Sequence, residues 1–160
     1  MIGIRKSWDN MATEGEMFAH NCFHGGKETM MVRLYRLSHK HYKKKHYRRA
    51  TLIRHFIRLI FTSQINPAAE IGKPAHFGHG MNIVIGAAKI GKRADLEHSI
   101  TIAKGSVIGD NFFMGPGARI IRAVKVGNNV RIGANAVITK DIPDNTLATG
   151  IPAKYYKIKQ

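Results

Sequence analysis

The chain is poor in the features that usually brace or anchor a small protein. Cys22 is its only cysteine, so no internal disulfide can form and no thiolate cluster can hold structural zinc. No run approaches the ~18 consecutive apolar residues of a membrane-spanning helix. The opening MIGIRKSWDN has no apolar block of the kind a secretory leader carries, and the expectation is a cytoplasmic protein. Acidic residues are scarce, with 10 Asp and Glu against 26 Lys and Arg and a formal net charge of +16. Such an excess points to an anionic partner: nucleic acid, an anionic membrane surface, an acidic saccharide or a phosphorylated co-substrate. No zinc-finger spacing, RNA-binding sheet motif or helix-turn-helix accompanies the charge, which disfavours nucleic acid. With 160 residues there is room for one domain, whose core must stand on packing alone.

What is present divides near Ser63. Before it, KETMMVRLYRLSHKHY and RRATLIRHFIRLIFTS place apolar residues three and four apart and predict two helices, joined near Lys43 to Tyr47. Much of the basic charge lies in residues 39–58, interleaved with Tyr42, Tyr47 and Phe56. Leu52, Ile53, Phe56, Ile57 and Ile60 form a stripe edged with cations there, which reads as a solvated helix face or as peripheral docking on the inner face of an anionic membrane. The predicted division is a helical segment over 1–63, a β domain over 64–153 and a tail over 154–160.

From Ile65 onward the sequence repeats every six residues. In register it reads IGKRAD, LEHSIT, IAKGSV, IGDNFF, MGPGAR, IIRAVK, VGNNVR, IGANAV and ITKDIP from Ile90 to Pro143, nine hexads without a gap. Upstream, INPAAE, IGKPAH, FGHGMN and IVIGAA follow the same rule, with Lys89 as one extra residue before the register resumes. First positions are large and apolar, second positions are often Gly, and fifth positions are mostly Ala, Val or Ile, with Met81, Ser106 and Phe112 as variants. A helix of 3.6 residues per turn cannot keep a period of six on one face, and a flat strand would alternate by two. A coil with three short sides satisfies it, and three hexads make one turn of 18 residues. The predicted fold is therefore mainly β, a solenoid of stacked coils with a short N-terminal helical segment.

Third positions of this repeat point outward. His79 of FGHGMN, His98 of LEHSIT, Pro116 of MGPGAR and Ala134 of IGANAV then fall in one column, two imidazoles beside a track of small residues. Such a track suits a long, mostly apolar ligand arm. An imidazole, with an ordinary pKa of ~6.5, suits removal of a proton from an attacking alcohol. His79 is the expected base. His98 is expected to help bind the acceptor or orient His79. No carboxylate or third histidine stands in sequence where it would complete a metal site with this pair, so no metal is expected.

The repeat resembles the hexapeptide-repeat, left-handed parallel β-helix acyltransferases, and residues 65–153 are similar to the serine acetyltransferase branch. QINPAAEIG matches that branch's opening D-I-H-P-A-A-x-I-G, and VRIGANAVITKDIPDNTLATGIPAKYYK matches its closing coil and turn. The resemblance implies that His79 is the catalytic histidine, that Gln64 stands where an aspartate orients it, and that acetyl-CoA is the co-substrate. It further implies that the donor lies along Pro116 and Ala134 and near Thr139 and Lys140, with Lys154 as a phosphate contact. Ala103 and Lys104 take the place of a Gly-Gly pair whose amides approach the thioester. It also implies a homotrimer. Three departures set the expectation for the acceptor: Gln64 for the aspartate, Gly78 for an acidic residue that meets the serine amine, and ITIAKGSVIGD where the branch carries a Gly-rich loop with Arg-His. Without charged handles a zwitterion binds poorly. The chain also lacks the long helical domain of full-length members and, in LYRLSHK, looks like short capsule, exopolysaccharide or lipopolysaccharide O-acetyltransferases. The expected reaction is acetylation of a saccharide hydroxyl by direct attack. Serine O-acetylation is the alternative, and a non-catalytic basic scaffold or nucleic-acid binder is the third reading.

Overall fold

In a computed structural model of the protein, residues 29–158 are described, which leaves Cys22 and the unpatterned start outside. Helices α1 (Met30–Lys43) and α2 (Tyr47–Phe61) fall where the apolar spacing predicts them. The chain turns between them at Lys45, which has φ 60°. From Gln64 it winds as a parallel solenoid whose short strands stack into three faces. One face holds β1 (Gln64–Ile65), β4 (Val84–Ile85), β7 (Thr101–Ile102), β10 (Arg119–Ile120) and β13 (Val137–Ile138). The second holds β2 (Glu70–Ile71), β5 (Lys89–Ile90), β8 (Val107–Ile108) and β11 (Lys125–Val126). The third holds β3 (Ala75–Phe77), β6 (Ala94–Leu96), β9 (Phe113–Met114), β12 (Arg131–Ile132) and β14 (Thr146–Thr149), and is closed by β15 (Lys154–Lys157) running antiparallel.

First positions of the hexads build most of the core. Ile65, Ile102, Ile120 and Ile138 stack along one face with Ile85, a third position of the sequence register, and Phe77, Leu96, Met114 and Ile132 along another with Ala148 beyond the last hexad, all buried. Small or aliphatic fifth positions, including Ala69, Ala94, Ile100, Ala118 and Ala136, fill the corners. A strand at the end of a solenoid offers unpaired backbone groups. Here the helices pack across that first coil. The Tyr35 hydroxyl donates to Ala69 O at 2.6 Å, Ser38 ties α1 to Ala50 O of α2 at 2.9 Å, and Arg36 donates to the carbonyls of Ile71 and Gly72. Burial pushes the Tyr35 hydroxyl up to about 12, against the lowering influence of Arg36. The stripe on α2 is split: Ile57 is buried and Ile53 packs against the core, while Leu52, Phe56, Leu59 and Ile60 are exposed.

Register departs from the sequence reading at two corners. Gln64 pairs with Val84, Glu70 with Lys89, and Val84 with Thr101, separations of 20, 19 and 17 residues, before a steady 18 is reached with Lys89 and Val107. The break is therefore not a single extra residue at Lys89. Two residues are inserted between Phe77 and Ile85, in the turn that carries His79, and one is lost between Ile85 and Ile90. The last hexad is also incomplete, because Ile142 already pairs with Val126, 16 residues back. A net shift of one had concealed two opposing changes, both absorbed in turns, so the strands on either side keep their inward residues.

Candidate active site

The enlarged turn projects from the corner after β3. His79, Gly80 and Asn82 all have positive φ, at 53°, 64° and 55°. Histidine tolerates this region better than branched residues do, at some conformational cost. Buried Ser63 pins the loop from inside: its hydroxyl accepts from Ile83 N at 3.0 Å and shares its one proton between Gly80 O at 3.0 Å and Phe61 O at 2.9 Å. Ser99 N donates to Met81 O at 3.1 Å, joining the turn to the next coil. His79 is thus held outward on a braced backbone, with its side chain exposed.

One coil on, His98 occupies the same corner. The two rings lie 5.5 Å apart between centroids, inclined at 72°, edge to face. His98 O accepts from Gly117 N at 3.1 Å and Pro116 O from Asn135 N at 2.9 Å, so the turns holding His98, Pro116 and Ala134 stack in the order the repeat implies. Four inter-strand steps of ~4.8 Å separate the first coil from the coil of Thr139 and Lys140, about 19 Å.

The third member of the site is Glu97, which the sequence reading missed. Its Oε2 lies 3.7 Å from His98 Nδ1, and ligand-capable atoms of His79, Glu97 and His98 all lie within 4.8 Å of one another. The carboxylate rests over Gly78: a Cβ built there would stand 2.3 Å from Oε2. A signal was present, because second positions in this column read Gly78, Glu97, Gly115 and Gly133, and Glu97 alone interrupts the glycines. What spacing could not show is that a glycine in one coil makes room for a carboxylate from the next.

The other expected residues are not members of this three-residue group. Gln64 is exposed at the start of β1, and among the described residues no hydrogen bond joins it to His79; Glu97 is the polar side chain adjoining the pair. Ala103 and Lys104 occupy the next corner, after β7. The Ala103 amide donates to Ile120 O at 2.9 Å and so is spent in the ladder, unable to serve a thioester. Lys140 and Lys154 are exposed at the far end, where Tyr155 donates to Lys140 O at 3.0 Å.

A parallel solenoid of hexapeptide repeats places the chain in the class of the hexapeptide transferases. The family described as bacterial transferase hexapeptide (six repeats) matches residues 105–140. The serine acetyltransferase of Helicobacter pylori is 36% identical over 129 residues, covering 75% of each chain. That of Staphylococcus epidermidis is 35% identical over 130 residues, covering 76% of this chain and 61% of its own. Among solved structures, soybean serine acetyltransferase superposes with a TM-score of 0.75 at 30% identity, covering 79% of this chain and 56% of that one. The Brucella abortus enzyme gives 0.77 at 27% identity over 81% and 56%. The chain belongs to the serine acetyltransferase family of hexapeptide-repeat transferases. It spans little more than half the length of these solved structures. The expectation of kinship with saccharide O-acetyltransferases, and with it a capsule or lipopolysaccharide acceptor, is overturned: these relatives are serine acetyltransferases. None of them is named for a membrane activity, and among the described residues no helix is long and apolar enough to cross one.

Proposed function

We propose that the protein is an acetyl-CoA-dependent serine O-acetyltransferase with His79 as general base. Kinship to serine acetyltransferases at 36% identity supports the reaction. The observation that carries the site is the cluster of His79, His98 and Glu97 on one corner, beside the turns of Pro116 and Ala134. His79 takes the proton of the serine hydroxyl as its oxygen attacks the thioester carbonyl carbon. The carbon–sulfur bond breaks, and the same imidazole returns the proton to the departing thiolate. The products are O-acetylserine and free coenzyme A.

The missing acidic handle at position 78 weighed against serine in the sequence. Glu97 answers that objection, since its carboxylate fills the space over Gly78 and is the group for the serine ammonium. The stacked small turns are the lane for the pantetheine arm, and Lys140, about 19 Å from the first coil, and Lys154, one strand further on, are the cations for its phosphates. The active form is a homotrimer, with exposed Val84, Val107 and Ile121 on the outer faces as apolar surface for neighbouring copies.

The test is purified protein supplied with L-serine and acetyl-CoA, with O-acetylserine read by mass spectrometry. His79→Ala is expected to lower turnover by ~10²–10⁴. Turnover of serine no greater in the wild type than in this variant would refute the assignment.

A further inference from the structure

Sequence spacing gave the two histidines no third ligand, and the fold supplies one. We infer that His79, Glu97 and His98 form a binding site for a divalent transition-metal ion of the zinc class, and that occupancy of this site silences the base. Four observations carry this. The donor atoms of the three side chains lie within 4.8 Å of one another. Zinc with bonds of ~2.0–2.2 Å holds neighbouring donors ~3.3–3.5 Å apart, so closure by roughly 1–1.5 Å completes the set. His79 is exposed and free to make that rotation. His98 Nδ1 is shielded from solvent without a hydrogen-bond partner, 3.7 Å from Glu97 Oε2 and so beyond hydrogen-bonding reach of it. An ion between them satisfies both.

The fourth observation is Glu97's choice of neighbours. In a chain with 26 Lys and Arg, its ion-pair partner among the described residues is a histidine rather than a fixed cation. Two imidazole nitrogens and one carboxylate oxygen select zinc, cobalt or nickel over magnesium and calcium, which prefer oxygen throughout. Three protein ligands leave a position open for water or chloride. The silencing rests on the proposed role of His79, whereas the binding does not. A metal held here takes both the base and the proposed ammonium contact, so inhibition is competitive with serine.

The experiment titrates Co²⁺ into the tag-free full chain and follows the visible absorption that distinguishes a four- or five-coordinate ion from the aqueous one. One saturable equivalent is expected, displaced by Zn²⁺. Glu97→Gln, which keeps the side-chain volume, is expected to weaken Co²⁺ binding at least about tenfold, with an unchanged melting curve showing that it folds. The double variant His41→Ala, His46→Ala removes another neighbouring ring pair, 5.9 Å apart, and is expected to change nothing. No absorption band, an unchanged affinity in Glu97→Gln, or a band lost with the His41 and His46 pair would each overturn the site. In a second arm, Zn²⁺ is expected to raise the apparent KM for serine, reversed by a chelator. Inhibition that serine cannot relieve would overturn the silencing. Protein that forms the Co²⁺ band but never acetylates serine would instead defeat the proposed reaction and leave the metal site standing.

Discussion

Substituting Gly78 by alanine should disable the site without weakening the fold. The added Cβ would stand 2.3 Å from Glu97 Oε2 and 2.7 Å from its Cδ, where ordinary contacts begin near 3.4 Å. The carboxylate must therefore retreat about 1 Å, which a flexible side-chain end can do at little cost. Gly72→Ala is the matched control, because its Cβ would meet the backbone of Gly91 at 2.5 Å and of Lys92 at 2.7 Å. Neither glycine has positive φ, so the outcome turns on room rather than on backbone strain. Gly72→Ala is expected to cost about 1–3 kcal/mol, and Gly78→Ala less than ~1 kcal/mol, in urea denaturation. If Glu97 meets the serine ammonium, displacing it forfeits a charge-assisted contact of about 1.5–3 kcal/mol. That corresponds to a loss of kcat/KM for serine of roughly 10- to 100-fold. Glu97→Gln on the Gly78→Ala background should then add little, since the contact is already gone. Independent, multiplying losses in the double variant, or equal destabilisation by the two glycine variants, would refute the reasoning.

Ser63→Ala leaves Ile83 N without its hydroxyl acceptor and Gly80 O without its donor, and is expected to cost about 1–3 kcal/mol; denaturation midpoints measure the stability, and a raised KM for serine would report the loosened His79 turn. His76 is held above the usual imidazole range by its 2.8 Å hydrogen bond to Asp95, against the opposing effect of burial. The folded state favours its protonated form, so that stabilisation is complete below ~6.5 and is lost as pH rises through the elevated folded value. Denaturation midpoints across this window, compared with His76→Gln, should show a difference that shrinks with rising pH; a constant difference would remove the argument. Light scattering is expected to give three chains per particle, and a monomer would contradict the proposed assembly.

The hexad rhythm alone settled that the chain winds as a solenoid, because only a three-sided coil places Ile65, Ile102, Ile120 and Ile138 in one inward file, to which strand pairing adds Ile85. It also put His79, His98, Pro116 and Ala134 on a common corner, and the spacing of apolar residues marked both helices. Three things were settled only in three dimensions. Insertion and deletion in successive turns nearly cancel along the chain, so only strand pairing separates them. The acidic group that Gly78 lacks is supplied over that position by Glu97 from the coil above. The Ala103 amide was legible as a candidate donor, but its engagement with Ile120 depends on which coil lies next to it. Periodicity fixes which way a residue faces, since that is a property of the backbone repeat. Which groups meet across adjacent coils is decided by neighbours some eighteen residues away, and no local pattern records them.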